Sequence, residues 1–138
     1  MIVRLVAVGA FVLLTATACG DEKEKEAGGK ACASPPAALS ARPTLLPMRF
    51  PTPTGVTYTS QKRAGPAKIV SGYIDEDVAA AFDAYGKALS RAPYAVTKSE
   101  HEEVDAEVNF GGGGSTGQVK LVQGCKDRTT ITITARPG

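Results

Sequence analysis

Asp75-Glu76-Asp77-Val78-Ala79-Ala80-Ala81-Phe82-Asp83-Ala84-Tyr85-Gly86-Lys87-Ala88-Leu89-Ser90-Arg91 decides the fold. Val78, Ala81, Phe82, Tyr85, Ala88 and Leu89 recur at spacings of three and four, which lays one apolar stripe along a helix. Asp75 is a suitable N-cap, and the acids after it favour the positive helix end. Pro93 stops the helix near Arg91, because the residue before a proline avoids the helical region. A helix with one apolar stripe needs one surface to cover.

The flanking segments supply that surface. Val56-Thr57-Tyr58-Thr59-Ser60 is β-branched and aromatic and reads as a strand. A turn is expected over Gln61-Lys62-Arg63-Ala64-Gly65-Pro66, and Ala67 to Ile74 resumes the strand pattern. Beyond the helix, Tyr94 to Lys98 reads as a strand and Glu100 to Glu103 as a charged bend or edge. Val104, Ala106, Val108 and Phe110 alternate with Asp105, Glu107 and Asn109, the pattern of a strand with one wet face. Residues 94–110 fit either one bent strand or two short ones. Gly111 to Gly117 reads as a flexible loop. Val119 to Gln123 and Thr129 to Arg136 are the last strands, around a turn at Gly124 to Asp127. Short connections imply antiparallel pairing. The expected fold class is therefore α+β in two layers, an antiparallel sheet of five to six strands with one helix on one face (β-β-α-β-β-β).

The chain has 138 residues, 43% of them hydrophobic. Its folded part amounts to roughly 85–105 residues, one small domain with a thin core. The formal net charge is +2 with no Lys/Arg-rich run, too mild a balance to argue for nucleic acid as a partner.

Upstream of the strands, residues 32–54 are rich in proline, which blocks helices and interior strands. They also carry Leu39, Leu45, Leu46, Met48 and Phe50, which a bare linker has no use for. An irregular arm packed on the domain of residues 55–138 is expected. Gly20 to Lys30 is charged and glycine-bearing with almost no apolar side chain, the composition of a disordered tether over 19–31.

Leu5 to Leu14 is an apolar run of about ten residues, too short to span a ~30 Å hydrocarbon core and suited to a signal peptide over 1–18. Ala16-Thr17-Ala18-Cys19 then resembles the lipobox of bacterial lipoproteins, in the relaxed form common in high-GC Gram-positive bacteria. It departs from the usual pattern at Ala16, where a larger aliphatic residue is typical. The resemblance implies that the Cys19 thiol takes a diacylglyceryl group and becomes the mature N-terminus after cleavage. The protein would then sit on the extracytoplasmic face of the cell membrane. A diacyl anchor holds stably without any protein contact to the bilayer. With Cys19 so assigned, Cys32 and Cys125 remain, and an even remainder in an exported chain reads as one disulfide.

Little else carries chemistry. Glu100-His101-Glu102-Glu103-Val104-Asp105 is the densest ligand group, yet one histidine without an HExxH pattern makes a weak metal site, and a solvated acidic edge is the plainer reading. No metal or other cofactor is expected. Gly111 to Gly117 lacks the Lys-Ser/Thr of a phosphate cradle. Tyr58, Tyr73, Tyr85 and Tyr94 fit core positions better than a ligand groove. No Ser/His/Asp or Cys/His set stands out for an enzyme. Lys62, Arg63 and Lys68 gather at a hairpin tip as a candidate contact with anionic lipid headgroups or envelope polymers.

The expected function is a non-enzymatic, lipid-anchored envelope module that binds a protein or envelope partner. The alternative is a small-ligand carrier with a pocket between helix and sheet.

Overall fold

The computed structural model describes residues 29–138. The signal segment, Cys19 and most of the tether lie outside them. The described chain contains six strands and one helix: β1 (Thr57–Ala64), β2 (Ala67–Ile74), α1 (Val78–Arg91), β3 (Ala95–His101), β4 (Asp105–Gly112), β5 (Ser115–Cys125) and β6 (Arg128–Pro137). All pairings are antiparallel, in the order β1-β2-β6-β5-β4-β3. A hairpin, β1-β2, leads into the helix, which carries the chain to the far edge. The meander β3 to β6 then returns to pair with β2. This is a two-layer α+β fold.

The sheet's inner face is built by period-two alternation. Val70 and Ile74 of β2, Ile131 and Ile133 of β6, Val119 and Leu121 of β5, and Val108 and Phe110 of β4 are all buried. Val78, Ala81, Tyr85 and Leu89 of α1 close over them. The helix cap is Asp77, two residues later than Asp75: its carboxylate accepts from the Ala80 amide at 2.8 Å. Asp75 instead pairs with Arg128 Nε at 2.6 Å.

The helix does not reach the β1-β2 end, and the Pro-rich arm covers it. Leu46 and Phe50 are buried. Phe50, Tyr94 and Phe110 pack against one another, edge-to-face or tilted, with centroids 5.0–5.6 Å apart. The Leu39 amide donates to Tyr58 O, and the Leu45 amide to Gln61 Oε1. Cys32 and Cys125 are joined as a disulfide, with Cα atoms 5.2 Å apart and a sequence separation of 93. That loop length corresponds to about 4–5 kcal/mol of denatured-state entropy.

Two turns are tighter than the composition suggests. β1 runs on through Gln61-Lys62-Arg63-Ala64, leaving only Gly65-Pro66 as the turn, with Gly65 at φ 57°. A two-residue hairpin turn with glycine at its first central position matches the strand twist, so it wins over a wide loop. Likewise Gly111 to Gly117 is no flexible loop: β4 and β5 continue into it, and Gly113-Gly114 turn with φ 59° and 75°. Gly117 is then a strand residue, and a Cβ there would strike the Thr134 carbonyl and the Phe110 ring. Residues 94–110 form two strands, bent back at Glu102 to Val104.

Candidate functional site

The sheet has one uncovered face. Its rows, read across the register, run from the end where the chain enters to the end of the β1-β2 and β4-β5 turns. The entry end holds Lys30, whose carbonyl accepts from the Lys126 amide at 2.9 Å, and Arg128, whose Nη1 donates to Ala33 O at 2.7 Å. It also holds Asp75, Glu76, Asp77, Glu102, Glu103, Asp105 and Asp127. The far end holds Lys62, Arg63, Lys68 and Arg136, with Arg91 at the helix terminus nearby. Among the described residues no acid lies in the two turns of the far end or in the arm from residue 30 to 56. The domain is thus charge-segregated along its strands.

The candidate trio is split by the pleat. Arg63 pairs directly with Lys68, and Lys68 in turn with Ala135, which puts both cations on the helix-side face. Lys62 pairs with Ile69, which pairs with Thr134, so Lys62 lies on the open face. Arg136, two residues beyond Thr134 in β6, shares that face. Cations placed directly opposite each other on a sheet are destabilising by up to ~1 kcal/mol. Arg63 and Lys68 keep that arrangement.

Arg136 was not singled out by the sequence, because it follows the last apolar position in an ordinary strand. Register is what gives it company. Thr97, Asn109, Thr116, Gln118, Thr134 and Arg136 line an open hollow of about 470 Å³ on the uncovered face. Gln118 Nε2 donates to Glu107 Oε2 at 3.0 Å, which orients the amide, and Lys120 pairs with the same Glu107 carboxylate at 3.4 Å. Phe110 and Gly117 also line the hollow, so hydroxyls and amides alternate with apolar surface, with one guanidinium at the rim. That set donates hydrogen bonds to oxygen-rich ligands and favours anionic ones.

The other candidates fall apart as sites. The turn after β3 separates His101 from Asp105, and the imidazole stacks on Phe82 with centroids 5.1 Å apart. No group of three or more His, Cys, Asp or Glu is placed to hold a metal among the described residues. Tyr58, Tyr85 and Tyr94 are core residues, and Tyr73 lies under the Arg128 guanidinium at 4.9 Å. Between helix and sheet the interior is filled by Tyr85, Leu89 and Phe110. A shallow hollow of about 300 Å³ remains beside the helix, between Phe82, Lys87 and Val96.

Tyr85 is unusual within that core. Its hydroxyl has no hydrogen-bond partner among the described residues. Burial first, then the neighbouring Tyr58 hydroxyl, push its pKa well above the ordinary 10.0. A phenol so placed stays neutral and contributes packing, with no proton to exchange near neutrality.

No family model, curated protein or solved structure matches this chain at a significant level.

Proposed function

We propose that this chain is a lipid-anchored, non-enzymatic module of the cell envelope, held at the membrane through Cys19, whose far basic end binds an anionic envelope polymer. The carrying observation is the charge segregation. Lys62, Arg63, Lys68 and Arg136 sit at the end of the sheet opposite the point where residue 30 enters. Strands of seven to eleven residues put the two ends about 25–35 Å apart. The tether enters at the acid-rich end, so the anchor is tied to the end opposite the cations and leaves them free to meet a polyanion, near which each charge is worth ~1 kcal/mol. Residues 20–30 reach at most about 40 Å when stretched, enough to clear the headgroups.

The hydroxyls and amides beside Arg136 suit a polymer rich in hydroxyl and carboxylate or phosphate oxygens. Cosedimentation with cell-wall fragments tests the reading. The protein should pellet with fragments that keep their anionic polymers and stay in the supernatant with fragments stripped of them. Equal pelleting with both would overturn it. The anchor is tested separately: Cys19→Ser should move the protein out of the detergent phase, and unchanged partitioning would refute lipidation.

A further inference from the structure

The two edges of the sheet are treated differently. β1 is covered at its start, where the arm donates Leu39 N–H to Tyr58 O, and its Gln61 side chain accepts from Leu45 N–H, while residues 60–64 are exposed. β3, the opposite terminal strand, is exposed at all seven of its residues. An open edge is a template for another strand unless charges or bulges blunt it. Here the one bulge lies between Val96 and Lys98, so the stretch from Lys98 to His101 remains regular.

We infer that β3 pairs with β3 of a second copy, antiparallel about a two-fold axis at Ser99, to make a continuous twelve-stranded sheet. Charge selects both the partner and the register. In an antiparallel pair, opposite residues share a face, so only registers centred on a residue keep both helices on one side of the joined sheet. Centring on Lys98 opposes two lysines, and centring on Glu100 opposes two glutamates. Centring on Ser99 sets Lys98 of each copy opposite Glu100 of the other, twice by symmetry. Within one chain these two groups already attract, at 2.6 Å, so the pairing exchanges two ion pairs, one in each copy, for two cross-strand ones, and charge sets the register rather than adding to the number of pairs. The apolar flank points the same way. Val96 is 37% exposed. With half-buried Phe82 it borders the hollow beside α1, which the second copy's α1 face would close. This inference is independent of the polymer reading and places both basic ends on one assembly.

The test is the association state of the full chain in detergent micelles, by sedimentation equilibrium, for four forms. Wild type should be dimeric. Lys98→Glu should weaken association about ten-fold, because two attractive cross-strand pairs become repulsive, and Glu100→Lys should do the same. Lys98→Glu combined with Glu100→Lys should restore the wild-type constant. A monomeric wild type, or a double variant no tighter than the singles, would overturn the proposal. A second readout does not depend on charge: Ser99→Cys, on the axis, should give a disulfide dimer on non-reducing gels, and Lys62→Cys, exposed on the opposite terminal strand, should not. Equal dimer yields from the two positions would contradict the β3 interface.

Discussion

Gln123 Oε1 accepts a buried hydrogen bond from the Val78 amide at 2.8 Å, 45 residues earlier in the chain. Val78 is the first residue of α1, so one side chain satisfies a free donor at the helix start. The same amide group donates to Cys125 O at 2.5 Å and to Lys126 O at 3.2 Å. Gln123 therefore ties the helix N-terminus to the β5-β6 turn, beside the disulfide.

Gln123→Leu should cost about 2–3 kcal/mol, because it strands buried backbone groups on both sides. Urea denaturation measures this, and a midpoint unchanged from wild type would refute the role.

Tyr85→Phe should be neutral or stabilising by up to ~1 kcal/mol, since it removes a buried hydroxyl that makes no hydrogen bond. The sign of its pH dependence follows from the raised pKa. Above pH 10 the unfolded chain ionises this phenol and the folded chain does not, so wild-type stability falls as pH rises past 10. The Phe variant should lose less stability over that window.

Lys68→Glu replaces a cation opposite Arg63 with an anion. Stability should rise by about 0.5 kcal/mol, while binding to a polyanion should weaken. Thermal melting and cosedimentation on the same preparation check both halves. A variant that melts lower, or binds as well as wild type, would remove the argument that this like-charge pair is kept for binding.

Cys32→Ala with Cys125→Ala should lower stability by about 4 kcal/mol through the longer unfolded chain. The arm should become protease-sensitive around Pro35 and Pro36, both exposed. Wild-type resistance in the double variant would show that Leu46 and Phe50 hold the arm unaided.

The layer architecture was legible because α1 and β6 carry undiluted periodicity: Val78 to Leu89 at three and four, and Ile131 and Ile133 at two. Turn widths were not legible. Gln61 to Ala64 is polar because β1 is an edge strand whose inner face is covered only by the arm, and polarity mimicked a loop. Gly111, Gly112 and Gly117 looked like a flexible run, yet each fills a ladder position, Gly117 because Phe110 occupies the space of its missing side chain. The basic trio was visible in sequence, but its division between two faces and the arrival of Arg136 depend on register across β1, β2 and β6. Gln123 gave no signal of its tie to the helix, since that partner, Val78, lies 45 residues away in sequence.

The most direct test of the binding claim compares two charge reversals of equal net effect at opposite ends of the sheet. Arg136→Glu lies at the far end, and Lys126→Glu lies where the chain enters. Affinity of the full chain for a soluble polyuronate, measured by fluorescence titration at about 0.15 M ionic strength, where the Debye length is ~8 Å, should fall about ten-fold for Arg136→Glu. It should stay within about two-fold of wild type for Lys126→Glu, since exposed charges separated by more than a Debye length are largely screened. Equal losses for the two variants would mean that net charge, and not the basic end, governs binding, and would contradict the account.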